Sequence, residues 1–252
     1  MLFFVQGEGM KITYAEYSNV GNREINEDSI AAYADQNGGV FLLADGLGGH
    51  GRGEVASSAV VSVCMKMYGE NPEGFLLETA FERGQEFILR QQEEHTELED
   101  MKTTLVALQI KSDTARWGHI GDSRLYHFKK KKLVGHTLDH SVPQMLVNMG
   151  EIKEKDIRGH EDRNRLLRVM GSPWGDRSYT VSDVIKINKP MQFLLCSDGY
   201  WENIVEDEMV NCLKKASTPR EWLDLMTEQV MKNGYGTDMD NNSAVAVWLE
   251  RE

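Results

Sequence analysis

The sequence predicts an α+β fold: a sandwich of two antiparallel β-sheets flanked by helix pairs. Three observations carry this. Runs such as 40–44 (VFLLA), 105–110 (LVALQI) and 244–248 (AVAVW) are apolar at nearly every position, so those strands must be covered on both faces. Elements follow one another as strands, a helix pair, strands, and a second helix pair. Short polar turns join the middle strands, which favours an antiparallel meander over parallel crossovers.

Strands are expected over 11–18, 28–34 and 38–45. A helix follows, because Val55, Ala59, Val60, Val63, Cys64 and Met67 recur at helical spacing. Leu77, Ala80, Phe81 and Ile88 predict a second helix over 73–94, with Gly84 as its weak point. Strands return at 103–111, 114–121 and 123–129. The four lysines of 129–132 lie between two apolar stretches and read as an exposed hairpin tip, where lysine protects solvated strand ends. From 137 to 178 the chain is polar, with helical pieces near 141–150 and 164–171, and reads as an insertion or flap. Strands are expected at 178–187 and 191–198, helices at 206–216 and 219–233, and a closing strand at 243–250. Trp222, Leu225, Met226 and Val230 give the last helix one apolar face. No linker or repeat divides 1–252, which reads as one domain.

The chain's 252 residues can bury a core without disulfides or a structural metal. A formal charge of -12 argues against a nucleic-acid groove. Cys64, Cys196 and Cys212 form no C-x-x-C pair, which fits a reducing compartment and speaks against zinc. No run approaches the ~18 apolar residues of a membrane span. The first ten residues lack the basic segment and apolar core of a signal peptide, and Met10 offers an alternative start. The expected location is the cytoplasm.

Gly46, Gly48 and Gly51 spell G-x-G-x-x-G between an apolar run and a helix, the setting of a dinucleotide loop. Asp45 directly before Gly46 would repel a pyrophosphate, and the element after the helix is another helix rather than a parallel strand. An internal echo points elsewhere. VFLLADG (40–46) returns as QFLLCSDG (192–199), keeping the strand, the acid and the glycine. Gly46 can offer its carbonyl oxygen to an ion without side-chain obstruction. Asp122 after RWGHIG and Asp240 in TDMDNNS bound further strands, and Glu27 and Asp28 stand before another. Each alone has an ordinary turn explanation. Converging, these carboxylates would raise one another's pKa unless cations neutralised them, and all-oxygen donors select Mg²⁺ or Mn²⁺ over zinc. DMDNNSAVAVWLE is no EF-hand, because Ser243 stands where glycine is needed and Leu249 where the bidentate acid belongs.

Two hard ions bridged by a carboxylate lower the pKa of a bound water and orient it for in-line attack, which suits phosphoester hydrolysis. Arg23, four residues before Glu27, is the candidate grip on the phosphate. Covalent routes are not indicated. None of the cysteines is followed by the arginine-bearing loop of a cysteine phosphatase, and DMDNN does not follow an apolar strand.

Eight segments in order resemble the metal-dependent protein Ser/Thr phosphatases called PP2C or PPM, in their bacterial form: GNREINEDS, LLADGLGGHGRGEVAS, TTLVAL, GHIGDSRLY, HTLDHS, LLRVMG, LLCSDGYWENI and DNNSAVAV. The resemblance implies a PP2C-like α/β/β/α sandwich and hydrolysis of phosphoserine and phosphothreonine on proteins. It implies two Mn²⁺ or Mg²⁺ ions with a weaker third. Asp45 would bridge the two ions, the Gly46 carbonyl would bind the second, and Asp198 and Asp240 would complete the first. Glu27 would act on the second through water, with Asp28 alongside, and Asp122 on the third. Arg23 matches the phosphate-binding arginine, and 137–178 the flap. Better-known eukaryotic members carry a histidine directly after Asp-Gly, proposed as general acid. Here that residue is Leu47, with His50 nearby, so the acid stays unassigned. The expected partners are phosphoproteins modified by a Ser/Thr kinase, with neither nucleic acid nor membrane, and the chain is expected to be a monomer. Two alternatives stay open: a binding module on the same fold with a degenerate site, and a phosphatase dedicated to one regulatory partner.

Overall fold

The computed structural model describes residues 3–7, 10–47, 52–175 and 178–251. Gly48, His50 and Gly51 of the glycine-rich loop lie outside the described residues, as do the first two residues of the stretch read for a targeting signal.

The described chain opens with β1 (Phe3–Gly7), which has no counterpart among the predicted strands, paired antiparallel to β2 (Met10–Asn19). The hairpin of β3 (Asp28–Asp35) and β4 (Gly38–Leu47) leads into α1 (Arg52–Glu70) and α2 (Leu77–Glu94). Then come β5 (Lys102–Thr103), β6 (Leu105–Lys111), β7 (Thr114–Ile120), β8 (Arg124–Lys129), β9 (Lys132–His136) and α3 (Val142–Met149). β10 (Thr180–Val181), β11 (Ile185–Lys186) and β12 (Met191–Cys196) precede α4 (Asp198–Trp201), α5 (Glu206–Lys215), α6 (Pro219–Asn233) and β13 (Asn242–Arg251). One sheet has the order β1-β2-β13-β12-β8-β9. The other has β10-β7-β6-β4-β3, with β11 beside β7 and β5 beside β4.

The doubly apolar strands are explained by three layers of core. Phe41 and Leu43 of β4 meet Phe193 and Leu195 of β12 and Val245 and Val247 of β13 between the sheets. The alternate residues Val40, Leu42 and Ala44 turn outward onto Val60 and Cys64 of α1 and Phe81 of α2. On the opposite outer face, Leu194, Cys196, Ala244 and Ala246 pack with Met209 of α5 and Trp222 and Met226 of α6. Each fully buried large apolar side chain contributes about 1.5–3 kcal/mol. Among the described residues, no helix is long and apolar enough to cross a membrane.

Several predicted elements change. The stretch 164–171 is not helical but bridges Leu166 to Ser141 and Met170 to Thr103. Its amides are committed across the chain, Leu167 to the His140 carbonyl and Met170 to the Thr103 carbonyl, so no helical ladder can form. The strand expected over 178–187 divides into β10 and β11, because Ser182 donates its N–H to the Trp117 carbonyl and accepts the Trp117 N–H on Oγ. The second helix begins at Leu77 rather than 73, and β12 stops at Cys196, leaving Asp198 to open α4. At the lysine tip, Lys130 and Lys131 both have positive φ, as a two-residue hairpin turn requires. Lys131 is tied down there, donating from Nζ to the Ala216 carbonyl at 2.8 Å.

Candidate metal centre and active site

Five acids gather where the strands of both sheets end. Asp45 lies within β4, directly opposite Asp28 of β3 in register. Asp122 occupies the turn between β7 and β8, Asp198 opens α4 after β12, and Asp240 precedes β13. Asp45, Asp122, Asp198 and Asp240 line one cleft of about 520 Å³, with Arg23 and Glu27 on the same wall. Ile25, Leu47, Asn164 and Leu166 also line it, so 137–178 reaches this cleft. Asp28 is not on its surface. It is buried beneath, accepting from Ser197 Oγ at 2.8 Å, with the Ser243 hydroxyl also favouring its charged form.

The backbone around these acids is pinned from distant elements. The Asp45 carbonyl accepts from Thr104 N–H at 2.8 Å and Thr103 Oγ at 2.9 Å, and Asp45 N–H donates to Thr104 Oγ1. A Cβ on Gly46 would stand 2.1 Å from the Gly53 carbonyl oxygen, so glycine there lets α1 close on β4. Glu27 accepts from the N–H groups of Gly53 and Glu54 at the α1 N-terminus, a favourable end for a carboxylate. Asn241 donates to the carbonyls of Val20 and Ile25 and accepts the Glu27 N–H at 2.8 Å, fixing the loop that carries Arg23. Trp201 Nε1–H donates to the Asp122 carbonyl at 3.0 Å. Below it, Arg124 and Asp139 form a buried two-pronged ion pair, both bonds 2.8 Å, with the guanidinium 3.5 Å from the Trp201 ring centre.

The electrostatics follow from this crowding. Burial, followed by Asp28, Asp198 and Asp122, pushes Asp45 well above the usual carboxylate range. Burial, followed by Asp198 and Asp139, does the same to Asp122. Asp198 is raised by burial and Asp240, partly offset by its hydrogen bonds with Asp45 and the Gly199 N–H. Asp28 is pushed up to about 7, chiefly by burial. Among the described residues, no three acidic, histidine or cysteine side chains already close on one point as a metal site. Instead Asp45 and Asp198 share a hydrogen bond, and Asp240 is held by Arg23, Nε at 3.0 Å and Nη2 at 2.9 Å. Acids this close are stable only with shared protons or with cations between them, and their all-oxygen donor set fits hard divalent ions.

A family model described as protein phosphatase 2C matches residues 16–242. The chain belongs to the protein phosphatase 2C family. The serine/threonine phosphatase stp of Listeria monocytogenes is 32% identical over 234 residues, covering 89% of this PP2C chain and 90% of that protein. The serine/threonine protein phosphatase PstP of Mycobacterium tuberculosis is 32% identical over 207 residues, 81% of this chain. The chain spans only 39% of the length of that longer relative. A crystal structure of the PstP catalytic domain in complex with two manganese ions superposes with a TM-score of 0.80 at 28% identity, covering 96% of this chain and 99% of that one.

The PP2C site thus brings together Arg23, Glu27, Asp45, Gly46, Asp122, Asp198 and Asp240, with Asp28 beneath them. Asp45 is inside a strand rather than at a turn, and Asp198 begins a helix, so the echoed segments end differently. Leu47 lines the cleft, whereas His50 lies outside the described residues. Sequence reasoning assigned no role to Ser197, Asn241, Thr103 and Thr104. The echo held a signal for Ser197, which replaces Ala44 beside the second Asp-Gly.

Proposed function

We propose that this chain is a Mn²⁺- or Mg²⁺-dependent protein serine/threonine phosphatase that hydrolyses phosphoserine and phosphothreonine on proteins by direct attack of water. The carrying observation is the meeting of Asp45, Asp122, Asp198 and Asp240 in one cleft with Arg23 at its wall, in a chain of this family. Asp45 would bridge two ions, with the Gly46 carbonyl and, through water, Glu27 on one and Asp198 and Asp240 on the other. Asp122 would serve a weaker third, and Asp28 would steady Asp45 from below. When bound, the ions supply an activated water and neutralise phosphoryl charge. The two manganese ions of the related PstP domain support that loading.

The chain's own groups do the rest. The Arg23 guanidinium, whose fork spans the Asp240 carboxylate, has the geometry to grip two phosphoryl oxygens and orient the phosphorus. Ile25, Leu47 and Leu166 supply the apolar part of the cleft wall. Leu47 lines the cleft but has no proton to give, so the acid for the leaving alcohol is another group than the residue after Asp-Gly. No thiol serves as nucleophile. Burial pushes the Cys64 thiol up to about 12 and raises that of Cys196 as well, and none of the three cysteines lines the cleft.

In this reading 1–252 acts as one phosphatase domain, with 137–178 as the flap facing substrate. Asn164 and Leu166 in the cleft wall support that. It works as a cytoplasmic monomer opposing a Ser/Thr kinase, and the charge of -12 weighs against nucleic acid as a partner. The test is hydrolysis of p-nitrophenyl phosphate by purified protein with Mn²⁺, Mg²⁺ or chelator, alongside Asp198→Asn. Turnover should require metal, and Asp198→Asn should lose more than the about 10- to 100-fold typical of outer-shell changes. Robust turnover in chelator would overturn the reading. A folded protein inactive with every metal would favour the binding module.

A further inference from the structure

A second cavity, of about 360 Å³, is lined by His119, His140, Arg168 and Thr180 among others. His140 belongs to the HTLDHS segment and takes no part in the cleft. It brackets Gly121, the residue before Asp122. The His140 N–H donates to the Gly121 carbonyl at 2.9 Å, and the Gly121 N–H donates back to ring Nδ1 at 3.3 Å.

Because Nδ1 accepts, the ring proton belongs on Nε2, which donates to Thr180 Oγ1 at 3.1 Å. His119 stacks on this ring with centroids 4.5 Å apart, and its own Nε2–H donates to the Leu138 carbonyl. His140 is 4% exposed, and burial, His119 and Arg168 hold it neutral, down to about 2. Gly121 has φ +99°, and a Cβ there would meet Thr104 Cγ2 at 2.5 Å. Only glycine fits there, and because glycine is conformationally free, the position of this backbone rests on the hydrogen bonds made to it. Trp201 holds the carbonyl of Asp122 and Thr104 holds the hydroxyl of Ser123, both on the far side of the Asp122 Cα. The His140 ring works on the near side.

We infer that His140, kept in its Nε2–H tautomer by Thr180, is a positioning residue: its ring holds the Ile120–Gly121 peptide while its backbone N–H holds the Gly121–Asp122 peptide, and together they aim the Asp122 carboxylate at the weaker metal. This rests on the role given to Asp122 in the proposed function.

The test is a Mn²⁺ titration of the full chain, following free Mn²⁺ by electron paramagnetic resonance, which counts tight and weak sites without turnover. Asp122→Asn is the reference and should lose the weak site alone. His140→Asn puts an amide oxygen where Nδ1 stood and should keep that site. His140→Gln puts its amide at the Nε2 position, abandons the Gly121 N–H, and should weaken that site about 10- to 100-fold with the tight sites unchanged. Thr180→Val, which frees the tautomer, should weaken the same site by less, and it decides the matter if His140→Gln does not fold. A weak site lost in Asp122→Asn but intact in His140→Gln, or in Thr180→Val where His140→Gln does not fold, overturns the inference and leaves the metal centre standing. Equal losses in His140→Asn and His140→Gln also overturn it, reducing the ring to packing. A titration unchanged in Asp122→Asn overturns the role of Asp122 and the inference with it.

Discussion

Arg23 and Asp240 meet as a fork on a carboxylate, and one contact sets two roles against each other. While Asp240 is engaged by the guanidinium it is less available to an ion, and Arg23 is less available to a phosphate. Arg23→Ala should therefore move two measurements in opposite directions. The kcat/KM for a phosphopeptide should fall about 10- to 100-fold, the worth of a charge-assisted hydrogen bond of about 1.5–3 kcal/mol. Mn²⁺ affinity, read by calorimetry, should rise as Asp240 is released. Arg23→Lys should restore little of the turnover, since an ammonium lacks the two-pronged fork. At this scale, the acids were legible because each adjoins a strongly apolar run. Asn241, Ser197 and His140 were not. Asn241 acts on Ile25, 216 residues away, and Ser197 on Asp28, 169 residues away, so local spacing reveals neither partner, although the echo marks Ser197 itself.

At the scale of elements, the junction of β4 with α1 decides how closely the acidic wall is built. The sequence reading gave Gly46 a carbonyl for an ion. The structure adds a packing reason, the approach of Gly53. Gly46→Ala should destabilise the fold by about 1–3 kcal/mol through overpacking. Thermal unfolding should then fall by about 2–4 °C for each kcal/mol in a chain of this size. An unchanged melting temperature would show that the junction can give way. Strands and the long helices were readable because apolar periodicity is a local signal. The 164–171 stretch misled for the converse reason. Its apolar spacing suits a helix, but Val169 and Met170 are buried along an extended path whose amides bond to Thr103 and His140. The short strands β10 and β11 carry too few residues to show any period.

For the molecule as a whole, the gathered carboxylates make stability depend on pH. Asp28 is raised to about 7, and Asp45, Asp122 and Asp198 are also raised, so the folded chain retains protons that the unfolded chain releases near pH ~4. Without divalent ions, this group's contribution to stability should fall as pH rises from that range toward about 7. Mn²⁺ reverses the penalty by taking the place of those protons. Its gain in melting temperature should be larger at pH 7.5 than at pH 5 in differential scanning fluorimetry, and an equal gain at both would contradict the shifts. The sheet order carries another consequence. β13 lies between β2 and β12, so the earliest long strand of the described chain joins the rest of its sheet only through one of the latest. A ribosome making this chain must therefore release residues 242–251 before β2 has a partner on that side and before Asp240 can reach Asp45. Until then a nascent chain has both helix layers and no completed acidic cleft.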